Sequence, residues 1–282
     1  MIRAEDYTKA YRTTVAVDGL SFHVEPGQIL GLLGRNGAGK TTTLRAIAGI
    51  IPPTRGSLSV AGHDLKTEEI AAKSQLAYIP DDPKLFEALS VWEHLEFTAM
   101  AYRVDNPQAP GEALLTRFEL MEKKDSLVQE LSRGMRQKVA ICCAYLHEPR
   151  AILFDEPLTG LDPRGIRTLK ETIRERARDG AAVIVSSHLL SLVEDLCTHL
   201  LILDRGQSRF FGHISNAQRA FAGLADQASL EDIFFHATEG GGVSSQPSSA
   251  SRVSGESDVG DMTLFDAEDS AAESARSEPG ST

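Results

Sequence analysis

Long apolar runs are missing from this sequence of 282 residues. No stretch approaches the roughly 18 consecutive apolar residues that a membrane-spanning helix needs. The N-terminus reads MIRAEDYTKAYR, which lacks the apolar core of a signal peptide. If the protein works at a membrane, we expect another chain to hold it there.

Cysteine is also scarce, with only Cys142, Cys143 and Cys197. Two neighbouring cysteines on a helix cannot readily bridge to each other, and no spacing typical of metal ligands is present. We therefore expect buried, reduced thiols in a cytoplasmic protein. Basic residues are fewer than acidic ones, 29 against 40, which argues against a nucleic-acid partner.

The acidic excess is concentrated at the C-terminus. Residues 239–282 hold nine acids and two bases, so they carry −7 of the total net charge of −11. This segment is rich in Gly and Ser and has too few apolar residues to bury a core. We predict a folded domain over residues 1–238 and a disordered acidic tail over residues 239–282. A docking role for the apolar residues 262–265 in this tail is the alternative.

Short apolar runs alternate with helical patterns along the folded part, which indicates an α/β fold. The runs at residues 28–33, 76–79, 151–154, 181–186 and 199–203 predict strands. Helical patterns between them predict a mostly parallel sheet flanked by helices on both faces. From about residue 83 to 150, apolar stripes at helical spacing predict an inserted helical subdomain.

Residues 34–41 read GRNGAGKT and fit the phosphate-binding pattern G-x-x-x-x-G-K-[ST]. The glycines let backbone N–H groups point at a phosphate, and the following helix adds its dipole. We expect Lys40 to contact the β- and γ-phosphates of ATP and Thr41 to bind Mg²⁺. The residues of this loop predicted to bind the nucleotide are Gly34, Asn36, Gly37, Ala38, Gly39, Lys40, Thr41 and Thr42.

Two carboxylates follow the apolar run at residues 151–154. A strand that ends in Asp155 can deliver this carboxylate to the water shell of Mg²⁺. Glu156 can polarise the attacking water as a general base. His188, after the run at 181–186, could donate a hydrogen bond to the γ-phosphate, although a lone histidine is more often structural.

Residues 131–138 read LSRGMRQK, and with the preceding motifs they resemble the ATP-binding cassette (ABC) family over roughly residues 1–236. The family signature is usually written LSGGQ, so Arg133 replaces the first Gly and Met135 the Gln. The resemblance implies a P-loop NTPase core with an N-terminal antiparallel β part and the inserted helical subdomain. It also implies that each ATP lies between the P-loop of one subunit and Ser132 and Gly134 of another.

The resemblance assigns three further roles. Tyr11 stands where the family has an aromatic ring that stacks on adenine, and a plain surface tyrosine is the alternative. Asp162 belongs to the loop that contacts the opposing subunit near Glu156. His188 matches the family's switch histidine.

Asp81 departs from the family pattern, which has Gln after Pro80. A carboxylate can accept a hydrogen bond from Mg²⁺-bound water but cannot donate one, so we expect activity to survive with altered Mg²⁺ geometry. Asp at this place is also similar to export-type (ABC-2-like) subunits that have a separate permease. Leu85, Phe86 and the following helix would line the groove that receives a coupling helix from this permease.

Together these residues predict an ATP-hydrolysing subunit of an ABC transporter that uses ATP and Mg²⁺. Its expected partners are a second ABC subunit, identical or related, and a membrane permease, with export as the favoured direction. The expected location is cytoplasmic, at the inner face of the cell membrane through the permease. One alternative is a soluble ABC-type ATPase that acts on a protein assembly. Another is a degenerate cassette that binds ATP without hydrolysing it.

Overall fold

A computed structural model describes residues 1–220 and 229–239. Apart from Glu239, which ends the last helix, the predicted acidic tail lies outside the described residues. Within the described ranges the strands are β1 (Ile2–Tyr11), β2 (Thr14–Val24), β3 (Ile29–Gly34), β4 (Arg55–Val60), β5 (His63–Asp64), β6 (Leu76–Ile79), β7 (Ala151–Asp155), β8 (Ala182–Ser186), β9 (His199–Asp204) and β10 (Gln207–His213). The α-helices are α1 (Lys40–Ile47), α2 (Glu69–Ser74), α3 (Val91–Tyr102), α4 (Gln108–Arg117), α5 (Arg133–Leu146), α6 (Pro163–Arg178), α7 (Leu190–Leu196), α8 (Ile214–Ala220) and α9 (Leu230–Glu239).

The larger sheet has six strands in the order β10-β9-β3-β8-β7-β6. All neighbours pair in parallel except β9 and β10, which confirms the predicted mostly parallel sheet. Every residue of β3, β7 and β8 is buried. These strands read as continuous apolar runs because helices cover both faces of the sheet. Their carboxyl ends place the phosphate-binding loop and the two acidic residues side by side.

The smaller sheet confirms the N-terminal antiparallel β part. Its four strands follow the order β2-β1-β4-β5 and pair in antiparallel fashion. It packs with α1 in a second apolar cluster that includes Tyr7, Phe22 and Leu44. The hairpin β1–β2 also touches the phosphate-binding loop, because a Cβ added at Gly39 would lie 2.7 Å from the Ala16 carbonyl.

Helices α3, α4 and α5 lie between β6 and β7 in the chain, where the helical subdomain is predicted. Helix α3 begins with a capping box between Ser90 and Glu93. Leu95, Leu115 and Val139 are fully buried in the shared core, as the apolar stripes predict.

The three cysteines are free thiols, and Cys142 and Cys197 are buried. Burial raises the pKa of Cys143 to about 11 and that of Cys197 to about 12. These thiols are therefore protonated near neutral pH. Over residues 1–220 and 229–239, no helix is both long and apolar enough to cross a membrane.

Candidate active site

The phosphate-binding loop connects β3 to α1. Gly39 has a φ of 106° and caps α1 in the left-handed region, which a side chain would strain. Lys40 is buried, and its Nζ donates hydrogen bonds to the carbonyls of Gly34 at 2.6 Å and Arg35 at 3.4 Å. Burial lowers the pKa of Lys40, while the charges of Glu156 and Asp155 act in the opposite direction. The loop thus holds a buried ammonium group against carbonyl oxygens that an anion can replace.

Asp155 ends β7 as a buried carboxylate with 4% exposure. Its Oδ1 accepts a 2.8 Å hydrogen bond from the hydroxyl of Ser186, the residue beside it on β8. The Tyr78 hydroxyl lies 3.5 Å from the other oxygen. Burial, with the Asp155 charge, raises the pKa of Tyr78 to about 12. Both neighbours of this carboxylate are therefore neutral hydroxyls.

Glu156 follows β7 with an unusual backbone. Its φ of 49° is in the left-handed region, and its N–H donates to the Ser186 carbonyl at 3.0 Å. Non-glycine residues held there store strain that is frequent at functional sites. The Glu156 Oε2 lies 2.8 Å from His188 Nδ1, so the ends of β7 and β8 bring this predicted acid and histidine together.

A cavity of about 880 Å³ brings together the three residues predicted to bind metal, Thr41, Asp81 and Asp155. Their hydroxyl and carboxylate oxygens are the ligand types that Mg²⁺ prefers. The buried Asp155 carboxylate, which the hydroxyls of Ser186 and Tyr78 contact, also suits a cation. In the described part of the chain no group of three or more His, Cys, Asp or Glu is arranged to hold a metal ion. The set therefore fits a cation that nucleotide phosphates also ligate.

The signature segment begins α5. The Ser132 hydroxyl accepts a 3.3 Å hydrogen bond from the Met135 N–H, as expected of an N-cap. Gly134 packs directly on the loop after β7, because a Cβ there would lie 2.3 Å from the Gly160 carbonyl. Arg133 reaches Asp81, with 3.0 Å between Nη2 and Oδ1.

Asp162 occupies the N-cap position of α6, although its side chain makes no capping hydrogen bond. Its Oδ1 lies 3.0 Å from Lys138 Nζ instead. The hydrogen bond from Lys138 lowers the pKa of Asp162. This carboxylate is thus a link between the loop after β7 and α5.

Tyr11 ends β1 on the hairpin that contacts the phosphate-binding loop. Its side chain is 46% exposed, and the Lys9 ammonium lies 5.0 Å from the ring centroid. An exposed ring at this place is compatible with adenine stacking, which stays a prediction.

The chain matches the family profile described as "ABC transporter" over residues 17–159. Across 241 residues it is 38% identical to the ABC-type transporter ATP-binding protein EcsA of Bacillus subtilis, spanning 85% of this chain and 97% of that protein. The chain belongs to the ABC transporter family. It is an ATP-binding subunit and an ABC ATPase, as the motifs predict.

Two further comparisons agree. The Nod factor export ATP-binding protein I of Cupriavidus metallidurans is 32% identical over 209 residues, which are 73% of this chain and 69% of that protein. A solved structure described as the ATP binding subunit of an ABC transporter is 35% identical, with a TM-score of 0.79 over 84% of this chain and 99% of its own.

Sequence reasoning missed one part of this ABC ATPase near the P-loop. Helix α9 places Phe234 on a cavity of about 350 Å³ whose other lining residues include Asn36 and His188. Arg35 of the loop pairs with Glu239 at 3.3 Å. The aromatic residues of α9 were the available signal, but nothing local connects them with the loop.

Proposed function

We propose that this chain hydrolyses ATP in a nucleotide-sandwich dimer and thereby drives export by a separate membrane permease. The observation that carries the catalytic part is the pair of Glu156 and His188, with 2.8 Å between Oε2 and Nδ1. It lies beside the buried Asp155 and the loop that holds Lys40. The support for export is the relative named as a Nod factor export ATP-binding protein and Asp81 in place of Gln.

In this proposal Glu156 is the general base, which accepts a proton from the attacking water. The contact with His188 fixes the direction of the carboxylate, and an imidazolium, which carries a proton on both ring nitrogens, would also donate to the γ-phosphate from the other nitrogen. Lys40 turns from its carbonyl partners to the β- and γ-phosphates, where its positive charge offsets the charge that develops during transfer.

Mg²⁺, when bound, neutralises phosphate charge and orients the γ-phosphate. Thr41, Asp155 and Asp81 would hold it. Because the Ser186 hydroxyl fixes one oxygen of Asp155, the carboxylate is positioned before any cation arrives. The loop glycines and the N–H groups of residues 36–42 would receive the phosphates, and Tyr11 would stack on adenine.

Each sandwiched ATP would also contact Ser132 and Gly134 of the second subunit, with Asp162 close to that interface. Gly134 packs on Gly160 within one chain, so a shift of α5, which begins in the signature segment, would also move the loop after β7. Nucleotide binding to one subunit would thus be sensed by the catalytic loop of the other.

The cavity of about 880 Å³ is also the proposed permease site. Its outer wall includes Leu85 and Tyr102, and nearby on α3 the large apolar residues Phe97 and Met100 are 48% and 73% exposed. Exposed apolar groups of this size in one region mark interaction sites. We expect a short permease helix to occupy the groove.

The test of catalysis is ATP turnover by Glu156→Gln, with the oligomeric state followed in ATP and Mg²⁺. We expect turnover to stop and an ATP-bound dimer to accumulate. Glu122→Gln is the matched control, because Glu122 is exposed on the 3₁₀ turn at Met121–Lys123. Unchanged turnover in Glu156→Gln would refute the base assignment.

Membrane recovery tests the permease. In cells that also produce the permease we expect the intact chain to pellet with membranes, and Met100→Asp to be released without loss of ATP binding. Recovery of the intact chain with a soluble assembly would favour the alternative ABC-type ATPase without a permease.

A further inference from the structure

The two residues Asp81 and Arg133, which both depart from the family pattern, contact each other in this chain. The guanidinium of Arg133, in the signature segment, lies 3.0 Å from Asp81 Oδ1 and 3.4 Å from the Asp81 carbonyl oxygen. Asp81 follows β6 in the core sheet, and Arg133 begins α5 of the helical subdomain. This ion pair therefore joins the helical subdomain to the edge of the nucleotide cavity.

The path of the Arg133 side chain is set by a glycine. A Cβ added at Gly160 would lie 3.3 Å from Arg133 Cγ and 3.4 Å from its Cδ. Arg133 therefore crosses the loop after β7 on its way to Asp81, and its stem packs on the bare backbone of Gly160.

The nearest charged side chains have hydrogen-bond partners of their own, and the pKa of the Asp82 carboxyl is lowered chiefly by its hydrogen bond from Lys84, with Arg133 helping at longer range. Asp82 pairs with Lys84, and Arg136 donates to the Leu131 carbonyl at 2.7 Å. The side chains of Arg133 and Asp81 are 46% and 47% exposed. A pair this exposed contributes little to folding, so its effect is on the position of the Asp81 carboxylate.

We propose that Arg133 is a positioning residue that competes with Mg²⁺ for Asp81. This inference rests on the proposed function, in which Asp81 belongs to the metal site. Mg²⁺ demands near-ideal octahedral ligand geometry, and the guanidinium occupies Oδ1 of Asp81, one of the two carboxylate oxygens that could face the metal. A positive charge at this point also repels the arriving cation.

The consequence is a coupling between metal binding and the signature segment. Mg²⁺ with ATP draws Asp81 away from Arg133, and the segment that holds Ser132 and Gly134 loses its link to the loop after β6. Binding of both ATP and Mg²⁺ would therefore favour release of the signature segment from the loop after β6.

The experiment follows the binding of a fluorescent, non-hydrolysable ATP analogue to the full chain at rising free Mg²⁺. In Arg133→Gln we expect the Mg²⁺ concentration for half-maximal binding to fall by about two- to fivefold, the range of an exposed ion pair. With EDTA the analogue should bind the variant and the intact chain equally. Arg136→Gln, the matched control, should leave the Mg²⁺ midpoint unchanged.

The same titration in the variant Asp81→Asn tests whether Arg133 acts through the Asp81 carboxylate. There the substitution Arg133→Gln should no longer shift the Mg²⁺ midpoint, because the contested carboxylate is gone. An equal shift in both backgrounds, or none in either, would overturn the competition. Arg133→Gly serves as a second variant if Arg133→Gln does not fold. Failure of the intact chain to bind the analogue with Mg²⁺ would instead refute the proposed function itself.

Discussion

Removing the Ser186 hydroxyl should destabilise this protein more than removing any neutral partner nearby. Ser186 is fully buried, and its hydroxyl donates at 2.8 Å to the Asp155 carboxylate, which is 4% exposed. In Ser186→Ala one carboxylate oxygen loses its donor, and water cannot easily replace it. The perturbation therefore acts on a buried charge and not on the packing alone.

The expected magnitude follows from the charge of the acceptor. Hydrogen bonds to charged groups contribute about 1.5–3 kcal/mol, against about 0.5–1.5 kcal/mol for neutral pairs. For a domain of this size about 1 kcal/mol lowers Tm by about 2–4 °C. We expect Ser186→Ala to lower Tm by about 3–12 °C.

Ser187→Ala is the matched control, because Ser187 is also buried but its hydroxyl accepts from the Leu189 N–H at 3.0 Å. Urea unfolding of both variants without nucleotide gives the two free energies of unfolding. If Ser186→Ala costs no more than Ser187→Ala, the carboxylate does not depend on this hydroxyl and the reasoning is refuted.

Two further predictions concern packing and pH. Gly134→Ala places a Cβ 2.3 Å from the Gly160 carbonyl, so we expect ATP turnover to fall at least about tenfold with an unchanged circular dichroism spectrum; full activity would contradict the close packing. Burial lowers the pKa of His147, whose ring stacks on Tyr102 at 3.7 Å. Unfolded chains therefore bind the extra proton as pH falls below about 6.5, and stability is lost in that direction. In His147→Phe the loss of unfolding free energy between pH 7.5 and 5.5 should be smaller, and an equal loss would contradict this assignment.

The central fold could be predicted because its strands are buried on both faces. The strand predicted from the apolar run at residues 76–79 has the predicted bounds. The individual strands of the N-terminal sheet were harder to predict. Strand β1 has three register shifts against β2, and such irregularities break the alternation by which a half-buried strand is recognised. β10 was also missed, because most of its residues are only partly buried.

Much of the candidate site could be predicted because its residues are adjacent in sequence or follow buried strands. The ion pairs between residues far apart in the sequence could not be predicted. Lys138 with Asp162 and Arg35 with Glu239 join residues 24 and 204 positions apart, and no periodicity encodes a contact between flexible charged side chains.

The pair of Asp81 and Arg133 shows how two apparent departures can be one physical change. Three carboxylates, Asp81, Asp82 and Asp155, line the same cavity, where neighbouring like charges repel each other and Asp82 has the nearby Lys84 as a partner from its own loop. An amide at position 81 would add no charge and need no partner. Asp81 adds a negative charge, and Arg133, 52 positions away in the sequence, supplies the positive charge that compensates it. The single substitution Arg133→Gly should therefore leave the charge of Asp81 uncompensated. In the double variant Arg133→Gly with Asp81→Gln, neither position carries a charge. We expect the double variant to be more stable than the sum of its single variants by no more than about 1 kcal/mol, as for any exposed ion pair, and a double-mutant cycle on unfolding free energy measures this coupling.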